Sequence, residues 1–346
     1  MNTKNNQLST LLSLWHPKRD QQQWVLGTIF EIKGSSYRKP GAMMFFGDLG
    51  EQYGLLSGGC LESDLMRHAR KVMDSQQAKI VIYDMTDEDD IGWQLGIGCG
   101  GLVKILLQPI HTQNNYLGLV ELTQQVKERK TLWHAQQIVE GTPQSSVYCD
   151  TSALITEHPA IEAHINKFNS QTNNYSSKAV LIEGDSSWLY TPILPSPHIM
   201  IFGGGVDAYP VVEIAHTMGW QITIVDKRSA YARQAHFPYA DCIIKEPASA
   251  LLEQPNILNS VDAVVIMTHN ILMDGEALKV AQHSSASYVG LLGPIHRRER
   301  ILDNENLKIE SLSKPLSSPI GLDIGGQLPE SIALSILSEC HKALYK

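Results

Sequence analysis

Apolar residues stand at helical spacing at Leu8, Leu11, Leu12 and Trp15, so the chain begins with an amphipathic helix. The period then shortens to two. Residues 24–33 alternate and are rich in Val, Ile and Phe, which predicts a strand. Residues 42–46 predict a second strand, 53–57 a short third, 79–84 a fourth, and 102–107 an apolar strand of the buried kind. Between the third and fourth, Leu61, Leu65, Ala69 and Val72 mark one face of a helix over 61–74. Residues 20–110 therefore read as one α+β domain.

The pattern weakens over residues 111–190. A helix is expected at 117–129 and strands at 131–140 and 179–183, with a surface loop over the Asn/Ser/Thr-rich 166–178. Pro192, Pro195 and Pro197 suggest a linker. A regular strand–helix rhythm follows. Strands are expected up to Phe202 and at 221–225, 241–245, 262–268 and 287–292, with helices at 274–281, around Arg297, Arg298 and Arg300, and from Pro329 to about 344. That rhythm predicts a doubly wound parallel sheet whose ligand face lies at the strand ends. The expected fold class is α/β, a C-terminal Rossmann-like sheet plus an N-terminal α+β domain. Its divisions are 1–110, a connecting segment 111–195 packed on the first domain, and 196–346.

Bulk composition narrows the function classes. The chain has 346 residues, 43% hydrophobic and 18% charged, as expected of a globular protein of two domains. A net charge of -8 excludes general nucleic-acid binding and a polybasic membrane patch. No run of eighteen apolar residues occurs, and the apolar stretch 8–15 is too short for a signal peptide. The five cysteines, Cys60, Cys99, Cys149, Cys242 and Cys340, form no C-x-x-C pair. That argues against a disulfide framework or a zinc knuckle and for a reducing cytoplasm. No metal site is expected.

The candidate chemistry sits in glycine-rich turns. Gly203, Gly204 and Gly205 follow an apolar strand and precede a helix, and Gly203-x-Gly205-x-x-Ala208 fits the dinucleotide fingerprint. Asp226, about twenty residues on, is placed to hold a ribose. Asp207 stands where a pyrophosphate would rest, and its charge repels a second anion. His269 and Asn270 end a strong strand, where His269 could act as acid or base. Cys60 follows Ser57, Gly58 and Gly59, and Cys99 lies within Gly98-Cys99-Gly100-Gly101. Glycines let a ligand approach the backbone, and a helix N-terminus favours a thiolate at Cys60. Both cysteines could equally be small residues buried in tight turns. Arg38 and Lys39, in the loop 34–41, could hold a phosphate. The acid run 87–90 lacks the spacing of a calcium loop and reads as a solvated face.

These stretches taken together resemble the XdhC/CoxI family of molybdenum-hydroxylase accessory proteins. They are Gly34-Ser-Ser-Tyr-Arg-Lys-Pro-Gly41, Leu56-Ser-Gly-Gly-Cys-Leu-Glu62 and Gly98-Cys-Gly-Gly101, then Phe202-Gly-Gly-Gly205, Met267-Thr-His-Asn270, Tyr288-Val-Gly-Leu-Leu-Gly-Pro294 and Gly321-Leu-Asp-Ile-Gly-Gly326. The resemblance implies binding of the molybdenum cofactor, as molybdopterin or its dinucleotide form. It implies protection during sulfuration and delivery to an apo molybdenum hydroxylase such as xanthine dehydrogenase. A cysteine desulfurase would supply the sulfur, and a homodimer is expected. Cys99, with Cys60, would carry the chemistry. Arg38, Ser57, Gly58, Gly59, Gly98, Gly100, Gly101, Gly203, Gly204, Gly205, Asp226, His269, Asn270 and Gly293 would bind the cofactor. The family usually carries His-Val after the glycine turn, whereas this chain has Val206-Asp207. Two other readings remain open: an NAD(P)-dependent oxidoreductase using the Rossmann unit, and a regulatory scaffold that has lost its ligand.

Overall fold

Strand β1 (Trp24–Lys33) is the centre of an antiparallel sheet because both of its edges are paired and its first seven residues are buried. In the computed structural model, which describes residues 6–59, 61–84, 101–171 and 175–346, the chain divides into two compact units, Met1–Pro195 and Ser196–Lys346. β2 (Met43–Gly47), β3 (Gln52–Gly54), β4 (Lys79–Asp84) and β5 (Leu102–Ile110) complete the first sheet in the order β3-β2-β1-β5-β4. The helix Glu62–Ser75 lays Leu65, Met66, Ala69, Val72 and Met73 against Val25, Ile29, Phe46, Val81 and Ile105 on one face. On the other face, Trp24, Leu26 and Phe45 pack with Leu11, Leu12 and Trp15 of the helix Leu8–Trp15, and with Leu119 and Leu122 of Leu119–Lys127.

Residues 111–195 build more than the sequence pattern shows. β6 (Leu132–Gln137), β7 (Ser145–Tyr148), β8 (Val180–Ile182) and β9 (Trp188–Ile193) form a second antiparallel sheet, β7-β6-β9-β8. Two short helices, Thr151–Glu157 and Glu162–Asn169, pack on it through Leu154, Ile165 and Phe168. Pro192, expected in a linker, instead pairs with Trp133 inside β9. The helix Glu162–Asn169 also takes the start of the expected loop. Buried polar groups tie the two sheets together. Gln136 Nε2 donates to Gln108 Oε1 at 2.8 Å and to Thr28 Oγ1 at 3.2 Å, and all three residues are fully buried.

The second unit is a Rossmann sheet. β10 (His198–Phe202), β11 (Gln221–Val225), β12 (Cys242–Ile244), β13 (Ala263–Ile266), β14 (Tyr288–Leu291) and β15 (Leu316–Ser317) are parallel, in the order β12-β11-β10-β13-β14-β15. Counted within the unit this is 3-2-1-4-5-6, so the order reverses between β10 and β13, which pair directly. Successive strand residues face opposite ways. Met200, Phe202, Val264 and Ile266 pack with the helices Ile271–Gln282 and Ile295–Asn304. The alternate residues Ile201, Ile224 and Val265 are also buried, on the face of Ala208–Thr217 and Pro329–Leu344, helices that pack on each other.

Candidate functional site

In the first unit, the loop 34–41, the turn at Gly58 and Gly101 meet at one end of the first sheet. β1 runs out at Lys33 and its partner β5 begins at Leu102, and these two residues are register partners. The loop 34–41 therefore starts beside Gly101. A Cβ added at Gly101 would lie 2.7 Å from the Lys33 carbonyl and clash with the Ser35 carbonyl, so only glycine lets these backbones touch. Tyr37, on the same loop, is 3.9 Å (ring Cδ2) from a Cβ built at Gly58. Arg38, Ser57, Gly58, Gly59 and Gly101 thus share this end of the sheet. Cys60, Gly98, Cys99 and Gly100 lie outside the described residues, as does the acid run 87–90.

A buried carboxylate sets the shape of the Ser57 loop. Glu62, the first residue of its helix, is buried. Its Oε1 accepts from the Ser57 N–H at 2.8 Å and the Leu56 N–H at 3.3 Å, and its Oε2 from the Ser57 hydroxyl at 2.6 Å. Ser57 Oγ in turn accepts the Leu61 N–H at 3.0 Å. The loop is closed at its base, while Gly58 and Gly59 at its tip are exposed. Among the described residues nothing lies within 4 Å of a Cβ built at Gly59, whose φ of 104° any side chain would strain. Asp64, two residues on in the same first turn, is also buried and accepts from Tyr83 Oη at 2.6 Å and from Arg67. Burial acts to raise its carboxyl, but the Tyr83 hydrogen bond and the charges of His68 and Arg67 outweigh that and hold it below the usual range. Glu62 and Asp64 look like ordinary first-turn acids in the sequence. Only the tertiary fold reveals their burial.

In the second unit, the other candidates sit at the carboxyl ends of the strands. Gly203, Gly204 and Gly205 follow β10, Asp226 follows β11, His269 and Asn270 follow β13, and Gly293 follows β14. At Gly203, a Cβ would stand 2.5 Å from the Met267 carbonyl oxygen. This glycine is needed for strand approach whether or not a ligand binds. A Cβ at Gly204 would lie 2.8 Å from the Tyr231 carbonyl, and one at Gly205 2.6 Å from Asp207 Oδ1. The space over the glycine turn is therefore taken by the chain's own carboxylate. Asp207 is the N-cap of the helix Ala208–Thr217 but makes no capping hydrogen bond. Its Oδ2 lies 2.5 Å from His269 Nε2, and His269 holds the left-handed backbone conformation, φ 59°.

Asp226 has no capacity left for a ribose. A carboxylate offers about four acceptor positions. Here they meet four donors: the Gly204 N–H at 2.9 Å, and the N–H, Nε and Nη2 of Arg228 at 2.9, 2.9 and 2.6 Å. Burial acts to raise the Asp226 carboxyl, and these bonds outweigh it and hold it below the carboxylate range. Arg228 also lies over the Tyr231 ring, 4.1 Å from its centroid. Asn270 serves as the N-cap of the helix Ile271–Gln282, accepting the Met273 N–H at 3.1 Å. Gly293 lies against Arg297, which reaches Asp274 Oδ2 at 2.5 Å. Asp274 Oδ1 accepts from the Thr268 hydroxyl at 2.6 Å. Arg298 donates to the Ser318 carbonyl at 3.0 Å, so only Arg300 of the three arginines is exposed.

The matches to known proteins follow the same division. The model of the XdhC Rossmann domain matches residues 199–340, and that of the XdhC and CoxI family matches residues 18–84. A crystal structure described as a xanthine dehydrogenase from Bacillus halodurans superposes with a TM-score of 0.77 at 31% identity, over 96% of this chain and 95% of that one. The chain belongs to the XdhC and CoxI family.

Two further proteins of similar length match along nearly the whole chain. A probable xanthine dehydrogenase subunit of Bacillus subtilis (strain 168) is 29% identical over 92% of this chain and 93% of its own length. "Molybdenum cofactor insertion chaperone PaoD" of Escherichia coli (strain K12) is 21% identical over 91% and 81%. Among the described residues of this XdhC and CoxI family member, no group of His, Cys, Asp and Glu side chains could hold a metal ion. No described helix is long and apolar enough to cross a membrane.

Proposed function

We propose that this protein binds the molybdenum cofactor as cargo, shelters it while it is sulfurated, and hands it to a molybdenum hydroxylase such as xanthine dehydrogenase. The observation that carries this reading is the match to a molybdenum cofactor insertion chaperone over 91% of the chain. The chemistry of the first unit supports it. Gly58 and Gly59 offer open, exposed backbone, and Arg38 lies on the adjoining loop. Cys99, two residues before Gly101 in the chain, is the thiolate that a soft metal–sulfur centre favours. Cys60 adjoins the Gly58-Gly59 tip in sequence. The protein acts as a carrier more than as a catalyst, with an apo-hydroxylase and a cysteine desulfurase as partners and a homodimer as its working form.

The second unit serves here as a Rossmann framework with an altered phosphate seat. The carboxylate of Asp207 over the glycine turn and the filled acceptor positions of Asp226 oppose dinucleotide oxidoreductase chemistry. The reading is tested by expressing the full chain in a molybdenum-replete host, purifying it without oxygen, and identifying released ligand by mass spectrometry. A molybdopterin species in the wild type and its loss in Cys99→Ala are expected. A ligand-free wild-type protein overturns the reading.

A further inference from the structure

A single exposed aromatic ring is ordinary on a protein surface. What sets Tyr37 apart is its company. The residue is 61% exposed, on a loop held at its far end and again across Tyr37 itself. The Gly41 N–H donates to the Ile29 carbonyl at 2.8 Å, and the Ser36 hydroxyl donates to the Arg38 carbonyl at 2.9 Å. Among the described residues, Tyr37 Cδ2 is the only atom within 4 Å of a Cβ built at Gly58, and Gly59 beyond it has open space. One edge of the ring thus lies on the side of Gly58 where a side chain would stand, and the residue as a whole is exposed.

Arg38, next in the chain, is half-buried and has no carboxylate partner among the described residues. Arg228 and Arg297, with comparable exposure, each hold a buried aspartate. Burial pulls the Arg38 guanidinium down from its ordinary value, and the neighbouring Tyr37 offsets this only in part. A partly desolvated guanidinium without its own anion is a ready partner for the oxygens of a phosphate.

We propose that Tyr37 is the stacking platform, and Arg38 the phosphate anchor, for a planar heteroaromatic ring that carries a phosphate. The proposal rests on the reading of this chain as a molybdenum-cofactor carrier, because a pterin phosphate belongs to that ligand class. The nucleotide half of a dinucleotide cofactor shares the same chemistry. Aromatic stacking tolerates either ring, since it needs only a π face.

The test uses the full-length protein under anaerobic conditions, titrated with cofactor released from a purified molybdenum hydroxylase. Tyr37→Phe keeps the ring and is expected to bind within about twofold of wild type. Tyr37→Ser is expected to bind about tenfold or more weakly, the range of one lost stacking contact. Inorganic phosphate is expected to compete in the wild type and to lose that effect in Arg38→Ala. Guanosine and cytidine monophosphate, run as separate competitors, show whether the nucleotide or the pterin takes the platform. Unchanged melting temperatures confirm that each variant folds. Equal affinity for wild type and Tyr37→Ser, or a loss in Tyr37→Phe as large as in Tyr37→Ser, overturns the stacking assignment and leaves the carrier reading standing. No binding by the wild type overturns both.

Discussion

The Asp207 carboxylate and the His269 imidazole meet at 2.5 Å, joining the loop after β10 to the loop after β13. These two strands flank the point where the sheet order reverses, the position at which Rossmann proteins bind their ligands. A dinucleotide's pyrophosphate needs the helix N-terminus and the open face of the glycine turn. In this chain Asp207 brings a negative charge to that place and His269 holds it there. Replacing Asp207 with glycine is therefore expected to raise affinity for ADP, which the wild type should bind weakly or not at all. Isothermal titration of the two proteins checks this. Equal, tight ADP binding by both would show that the carboxylate does not occupy the seat.

Glu62 organises the Ser57 loop through three hydrogen bonds. Glu62→Ala leaves the Leu56 and Ser57 donors unpaired in a buried setting, at about 1–3 kcal/mol. Both stability and cofactor retention should fall. Glu62→Gln keeps one acceptor for the two backbone donors and should recover part of each. Denaturant midpoints and ligand content after anaerobic purification measure the two effects separately.

Much of this was legible in the sequence, and the reason lies in period and punctuation. The Rossmann strands are short apolar runs closed by glycine or a polar residue, so β10, β11, β13 and β14 could be placed within one or two residues. The glycine motifs marked which loops matter. The sheet of residues 132–193 was harder to read. β7 is four residues of mixed polarity, and β9 carries Pro192 within a paired strand. Pro192 faces Trp133 at a position where the β6–β9 ladder needs no donor from it, and the pairing of β8 on its other side ends at Tyr190, a tolerance invisible in a linear pattern. The saturation of Asp226 by Arg228 also depended on geometry. Two residues apart in sequence, they could equally have pointed away from each other.

The ion pair of buried Asp274 with half-buried Arg297 anchors the start of the helix Ile295–Asn304 to the end of β13. Removing one partner strands a buried charge, which costs on the order of 3 kcal/mol or more. Arg297→Ala is expected to lower the stability measured by denaturant unfolding by that amount. Arg300→Ala, on the exposed side of the same helix, should leave it within about 0.5 kcal/mol.

Acid should weaken the first unit through His134. The ring is fully buried, which favours its neutral form, and its Nε2 donates to the Leu117 carbonyl at 3.1 Å. Burial lowers its pKa from 6.5 to about 4, and the Leu117 bond only partly offsets this. Between those values the unfolded chain takes up a proton that the native chain refuses. Stability is therefore lost as pH falls from 6.5 towards 4, by at most about 1.4 kcal/mol per pH unit. Urea unfolding at pH 7 and pH 5 should show the loss in the wild type and a reduced slope in His134→Gln.

That this protein carries a molybdenum cofactor for another enzyme is tested most directly by transfer. Cofactor-loaded protein is mixed, without oxygen, with a purified molybdenum hydroxylase stripped of its cofactor. Hydroxylase activity is expected to appear in proportion to the loaded protein added, and Cys99→Ala protein treated identically is expected to restore none. Failure of the loaded wild-type protein to activate the hydroxylase, when free cofactor does so, would contradict the carrier role.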